Sequence, residues 1–322
     1  MSSSTRRDVR LVTMVTNPAS GLGRASAVAA VAAERLRARG VEVVEVRTDS
    51  AAESVRQVRH SIACRRPDAV VSVGGDGLMN VLLPAVAQTG VPLALVPAGS
   101  GNDLARVFDI PTKNTVAAAD IVLDGRTRTI DLGRLESAES GSAPMWFATV
   151  VGTGFDARVT LRANEMEWPK GRSRYTAAAV AELSHKCHAP YRVTMSDAST
   201  EGLRNPGVGS AVRADAVMVA VGNTSTYGGG MLICPDAIPD DGLLDLTVVG
   251  ELSRFEMMRL LPVLAAGKPT THPKVVQFRA SEITVSAPGT PVTADGEPAG
   301  MLPITIRSVP AALTVLAPAG RW

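Results

Sequence analysis

The chain has 322 residues, 45% of them apolar and 20% charged. That length allows about two domains at roughly 100–200 residues each, with a core that needs neither disulfides nor metals; the composition excludes disordered and collagen-like chains. Thirty-three Lys and Arg stand against 31 Asp and Glu, for a net charge of +2, and aromatics are few (5 Phe, 3 Trp, 3 Tyr), so a dedicated nucleic-acid binder is not expected. Cys64, Cys187 and Cys234 are odd in number and far apart, which points to a reducing cytosol and not to a disulfide scaffold. The first seven residues are polar, unlike a signal peptide. No apolar run reaches the ~18 residues of a transmembrane segment, which leaves a membrane-surface role open.

After a loose tail, residues 9–16 are apolar β-formers and predict a buried strand. The turn Asn17-Pro-Ala-Ser-Gly-Leu-Gly23 follows, then an Ala-rich helix over 25–39 stopped by Gly40. A strand over 41–46, a helix over 51–63 and a strand over 68–73 come next. The last runs into Gly74-Gly-Asp-Gly77 and a helix over 78–87. A short strand, 93–96, precedes Pro97-Ala-Gly-Ser-Gly-Asn-Asp103. Alternating strands and helices predict a parallel sheet with helices on both faces, and ligands bind such sheets beyond the carboxyl ends of the strands, where these glycine turns lie.

The pattern changes near Asp131. Residues 136–144 read as a linker or hairpin loop. Short strands are expected over 145–151, 192–195, 214–221, 244–249, 282–286 and 304–306, with helices over 173–187 and 252–266. Few crossovers predict an antiparallel, sandwich- or barrel-like second domain. The fold class is therefore α/β: a nucleotide-binding domain over 1–133, onto which 307–322 packs back, and a β-rich domain over 134–306.

The strongest chemical signal is Val73-Gly-Gly-Asp-Gly77 between a strand and a helix. Glycines let phosphate oxygens approach backbone N–H groups, and the helix adds its positive end. Asp76 supplies a carboxylate for Mg²⁺ or for a hydroxyl. A plain strand–helix turn is the bland alternative. Residues 97–103 form a second such loop, in which Ser100, Asn102 and Asp103 offer polar groups. The turn at 17–23 approaches the dinucleotide fingerprint, but Ser26 stands where its third glycine belongs. A Rossmann oxidoreductase is thereby disfavoured, and no P-loop motif is present.

Together these residues resemble the diacylglycerol kinase catalytic-domain family, which includes bacterial lipid kinases and the sphingosine kinases. Asn17, Pro18, Ser20 and Gly21 match its first turn. Gly74, Gly75, Asp76, Gly77 and Asn80 match its central loop; Gly99, Asn102, Asp103, Ala105 and Arg106 match the next, with Ser100 for Thr. Asp131-Leu-Gly133, Gly228-Gly-Gly230, the run from Pro235 to Asp245 and Asp295-Gly-Glu297 follow in order.

The resemblance implies an ATP site lined by Asn17, Pro18, Ala19, Ser20, Gly21, Thr48, Gly74, Gly75, Asp76, Gly77, Leu78, Met79, Asn80, Ser100, Asn102 and Asp103. It implies that Asp295-Gly-Glu297 reaches the reacting hydroxyl, with Glu297 as first choice for proton acceptor, Asp295 second, and Asp76 also in the catalytic set. It implies a Mg²⁺ site outside the ATP pocket, held by the Asp241 carboxylate and the carbonyls of Ile238 and Leu243. Asp-Gly is equally a hairpin signal, and the acidic loop equally a turn before a strand. Two positions depart from the family: Leu22 where Lys is common and Leu78 where Thr is usual.

His185, Cys187 and His188 lie close together but lack further ligands. Residues 252–266 form an amphipathic helix with Met257, Met258, Leu260 and Leu261 beside Arg254 and Arg259; it fits a core-facing helix or a bilayer contact. Arg162, Lys170, Arg172 and Arg174 read as a solvated face. The expectation is an ATP- and Mg²⁺-dependent lipid kinase with its site in the cleft between the domains, acting most simply on diacylglycerol. It would be cytoplasmic and peripheral to the inner face of the membrane, with a homo-oligomer left open. The rivals are a kinase of the NAD kinase type and a non-catalytic nucleotide- or lipid-binding regulator.

Overall fold

The computed structural model describes residues 8–18, 24–137, 143–169, 173–185, 188–270 and 272–319. The chain divides into two units. The first comprises residues up to Asp131 and from Ala311 onward, and the second runs from Leu132 to Pro310.

In the first unit, β1 (Leu11–Thr16), α1 (Arg24–Ala38), β2 (Glu42–Arg47), α2 (Ala51–Arg65), β3 (Ala69–Gly74), α3 (Asp76–Val86), β4 (Leu93–Pro97), α4 (Asp103–Val107) and α5 (Thr115–Asp124) follow in order. β5 (Arg126–Ser137) then leads across the boundary between the units. β1 pairs in parallel with β2 and β3, and β3 pairs in parallel with β4. Every residue of β3 and β4 is buried, as expected for strands covered on both faces. Ala25, Ala29, Ala32, Ala33 and Leu36 form the buried stripe of α1. Its outer edge is tied to α5 by Arg35, which forks onto Asp120 at 2.7 and 3.0 Å. Ser50 caps α2 and Asn114 caps α5, each side chain accepting a backbone N–H of the first turn.

In the second unit, β6 (Met145–Phe147), β7 (Val150–Thr153), α6 (Phe155–Glu165), α7 (Ser173–Glu182), β8 (Ala189–Ser196), β9 (Ala211–Gly222), β10 (Thr226–Tyr227), β11 (Met231–Leu232), β12 (Leu244–Gly250), α8 (Arg254–Ala265), β13 (Val275–Ala280), β14 (Glu282–Ser286), β15 (Pro291–Ala294), β16 (Glu297–Met301) and β17 (Ile304–Ala317) succeed one another. Pairing here is antiparallel. β9 joins β7, β8 and β12; β12 joins β13; β14 joins β8 and β17; and β15 joins β7 and β16. One core cluster lies among the strands around Tyr191, Phe147 and Phe278. A second lies under α6, α7 and α8 around Phe155, Val159, Ala178 and Leu260.

β17 crosses the boundary at Pro310, and its far end pairs in parallel with β4, Val315 beside Leu93. The strand is much longer than the expected 304–306. Three helices were not expected. α4 is short and follows Asn102 in a left-handed conformation, which reads as a turn. α5 carries Thr, Val and Ile, and α6 starts from the turn-like Gly152-Thr-Gly154.

Candidate functional site

The two glycine loops of the first unit are built against one another. β3 ends at Gly74, whose carbonyl accepts the N–H of Ala98 just past β4 (2.8 Å). A Cβ on Gly99 would lie 2.5 Å from the Gly75 Cα, so these backbones meet only because both residues are glycine. Asp76, the first residue of α3, locks the arrangement: its Oδ2 accepts the Asn102 N–H and its Oδ1 the Asp103 N–H, each at 2.6 Å. A side chain from one helix thus caps the start of another. Asn102, at φ 56°, clasps Gly99 from the other side, accepting its N–H at 3.1 Å and donating to its carbonyl at 2.8 Å. Arg106 Nε donates to the Gly101 carbonyl (2.8 Å).

α3 itself starts at Gly75 without a side-chain cap. Its positive end and the helically unpaired first-turn N–H groups of Gly77 and Leu78 suit phosphate oxygens. Leu78 and Met79 are buried, so they face the protein interior and bring only backbone to the loop. Leu78 fills the space above Gly74, where a Cβ would come 2.9 Å from its Cδ2. Ser100 is exposed, and Asn80 and Gly77 are half-buried. Thr48 Oγ1 accepts the Ser50 N–H (3.0 Å) at the start of α2. Asn17 and Pro18 follow β1; Ala19, Ser20, Gly21 and Leu22 lie outside the described residues.

In the second unit, Asp295 and Gly296 are the two central residues of the β15–β16 hairpin. Their φ values of 49° and 84° define the tight turn that an Asp-Gly pair favours. Asp295 lies in the turn and Glu297 opens the next strand, so the two carboxylates do not lie on one strand. Asp295 is turned inward and buried. Its Oδ2 accepts the Ala148 N–H (2.8 Å), and its Oδ1 accepts the Thr149 N–H (2.8 Å), the Thr149 hydroxyl (2.6 Å) and the Val150 N–H (3.3 Å). Burial raises this carboxyl above its ordinary range, against the pull of the four donors. Glu297 opens β16, pairs across from Ala294 and is exposed. Partial desolvation, then the like charge of Asp295, push its carboxyl upward. Asn164 of α6 donates to the Gly296 carbonyl (2.9 Å) and fixes the tip of the hairpin.

The acidic loop before β12 is organised by Arg279, which the sequence did not single out. Its guanidinium grips Asp245 at 3.0 and 3.2 Å and reaches the Asp236 carbonyl. Burial pushes the Asp245 carboxyl to about 6, with Arg279 pulling it back. Asp241 Oδ1 accepts the Leu243 N–H (3.0 Å), while its Oδ2 lies 3.8 Å from Arg279 Nε. Ile238 is exposed. One lightly held carboxylate beside loop carbonyls fits a mostly hydrated Mg²⁺. Among the described residues, no cluster of three or more His, Cys, Asp or Glu side chains is placed to hold a metal; Cys187 lies outside them.

A buried carboxylate in α6 was also missed. Asp156 accepts the Tyr227 hydroxyl on Oδ1, while Oδ2 has no partner, and burial pushes the carboxyl to about 6. The signal available was Gly152-Thr-Gly-Phe-Asp156, a glycine turn running into an acid.

Residues 11–135 match the diacylglycerol kinase catalytic domain, and residues 149–317 match the YegS C-terminal NAD kinase beta sandwich-like domain. A protein named diacylglycerol kinase from Mycobacterium tuberculosis is 44% identical over 313 residues, 97% of each chain. The chain belongs to the diacylglycerol kinase and YegS-like lipid kinase family. Among other relatives of this lipid kinase, a Xanthomonas oryzae protein named "Probable lipid kinase YegS-like" is 30% identical over 88% of this chain and 89% of its own. The crystal structure of a Bacillus anthracis protein described as one of its diacylglycerol kinases shares the fold, with a TM-score of 0.70 at 18% identity over 98% of this chain and 99% of that one. Kinase membership implies ATP use. No helix among the described residues is long and apolar enough to cross a membrane.

Proposed function

We propose that this chain transfers the γ-phosphoryl group of ATP to a lipid hydroxyl, with diacylglycerol as the substrate and phosphatidic acid as the product. The observation that carries this reading is the uncapped start of α3, held in place by the Asp76 clamp between the two glycine loops. Phosphoryl transfer asks chiefly for positioning and charge stabilisation. Backbone N–H groups and a helix end supply both, with little rearrangement when the nucleotide arrives.

Glu297 accepts the proton of the attacking hydroxyl, the lipid oxygen bonds to the γ-phosphorus, and ADP departs. A carboxyl lifted above its ordinary range is a better proton acceptor than an ordinary one. Asp295 is the weaker candidate, since both its oxygens already accept hydrogen bonds. Mg²⁺, when bound, neutralises phosphate charge; a separate ion would be held by Asp241 with the carbonyls of Ile238 and Leu243.

The test is transfer of labelled phosphate from ATP to diacylglycerol, to other hydroxyl lipids and to NAD, side by side. Labelled phosphatidic acid is the expected product. Label in NAD alone favours a kinase of the NAD kinase type, and ATP binding without transfer to any acceptor favours a regulator.

A further inference from the structure

α8 is apolar on two sides. Met257, Leu260 and Leu264 are buried in the core of the second unit. Phe255, Met258, Pro262 and Val263 recur at helical spacing on the opposite side and are exposed, Phe255 at 57% and Met258 at 53%. A helix that serves only to cover a core has a polar outer face. Here the outer stripe is apolar and edged by cations. The Arg259 guanidinium lies 4.2 Å above the Phe255 ring, Arg254 opens the helix, and Lys268 is exposed just beyond its end. The acid of the helix, Glu256, is turned to other work: it accepts the Ser253 N–H in the capping box and pairs with Lys274 at 3.2 Å. The stripe is thereby left with positive charge that Glu256 does not offset. Arg254 also donates to the Ser184 carbonyl (3.2 Å), tying the start of α8 to the end of α7, whose Val180 is itself exposed.

We infer that the outer face of α8 docks on an anionic bilayer, with Phe255, Met258 and Val263 entering the acyl boundary and Arg254, Arg259 and Lys268 meeting the headgroups. Apolar stripes bordered by Arg and Lys suit that boundary, since apolar area and attraction to anionic lipid add. Phe, Met and Arg suit a protein interface too, but Lys is depleted there, whereas exposed Lys268 at the edge of the stripe adds to the attraction towards anionic headgroups. The inference rests on the lipid-kinase reading for its biological sense, because such a substrate resides in a bilayer; the binding itself does not require catalysis.

The experiment sediments the full chain with vesicles, without nucleotide. One set is pure phosphatidylcholine and the other equal parts phosphatidylcholine and phosphatidylglycerol. The wild type should bind the mixed vesicles and bind the neutral ones far less. The Phe255→Ser, Met258→Ser double variant should bind about tenfold or more weakly, and Arg259→Gln and Lys268→Gln about fivefold each, all with wild-type melting temperatures. Activity towards a water-soluble short-chain diacylglycerol should be unchanged in these variants, while activity towards vesicle-borne diacylglycerol falls. Equal vesicle binding by wild type and double variant overturns the docking surface, even in an active kinase. So does light scattering that shows a dimer which the double variant dissolves without losing vesicle binding, since the face then belongs to a second copy. A wild type that binds vesicles through these residues yet phosphorylates no lipid sinks the kinase reading and leaves the docking surface standing.

Discussion

Asp76 and Asp295 occupy the two most legible motifs of the chain, one in each unit, and both grip backbone N–H groups. Asp76 is half-exposed and joins two loops, spanning 26 and 27 residues to Asn102 and Asp103. Asp295 is buried and closes a gap of 145–147 residues to Ala148, Thr149 and Val150. The first clamp leaves a helix N-terminus beside it open to a ligand. The second leaves no carboxylate oxygen without a donor, which is why we propose its neighbour Glu297 as the proton acceptor. A carboxylate inside a signature motif can therefore serve to hold backbone in place.

The largest expected effect tests that division directly. Glu297→Gln keeps size and hydrogen bonding but cannot take a proton, so turnover should fall about 10²–10⁴-fold, roughly 3–5 kcal/mol of barrier, with ATP affinity nearly unchanged. Steady-state kinetics and ATP titration read the two separately. Near-normal turnover would return Asp295 to the role of base.

Asp295→Asn comes next. Its amide would turn an NH₂ toward donors that now meet an oxygen, so a stability loss of about 2–4 kcal/mol is expected in denaturant titration. Any activity loss should follow the unfolded fraction. A variant as stable as wild type but inactive would break the contrast between Asp295 and Glu297.

Asp156 sharpens it, being buried with one donor where Asp295 has four. Its carboxyl lies near 6 folded and near 3.8 unfolded. Between those values the folded state holds a proton the unfolded state has lost, so stability falls as pH rises through that window and stays lower above it. Asp156→Asn should flatten the fall and raise stability at pH 8 by up to about 3 kcal/mol, visible as melting temperature against pH. A residual slope of the same sign belongs to Asp245, also near 6, together with Asp295 and Glu297, whose carboxyls are raised as well. An unchanged pH profile would show that Asp156 ionises normally.

The smallest effect is expected from Asp76→Ala. Losing the cap on α4 costs about 1–2 kcal/mol, and loosening the glycine loops should raise the KM for ATP. Asp76→Asn, which keeps one acceptor, should fall between the two. A folded Asp76→Ala with normal ATP kinetics would remove the clamp from the argument.

The alternation of strands and helices and the glycine turns made the first unit readable, because each signal is local. Asp295-Gly296 was readable as a hairpin for the same reason. What that hairpin does with its aspartate was not, since Thr149 lies 146 residues away and carries no mark of its role. The Asp76 clamp was hidden likewise: its partners are backbone N–H groups, which every residue but proline has. Arg279 lay between the expected strands with nothing to mark it, and its role appears only where Asp245 and Asp236 close around it. β17 read as three residues because Arg307, Ser308 and Pro310 interrupt its apolar pattern, although a strand that changes units needs such a break.

That strand has a consequence for how the chain comes to be made. Its far end supplies the β4 partner of the first unit, and Ala312 accepts the Gln88 N–H there. On a ribosome, β4 must wait with a bare edge while the whole second unit is synthesised, a state open to wrong partners. Trimming the chain back to Pro310 would therefore harm the glycine loops beside β3 and β4, although the cut lies far from them in sequence.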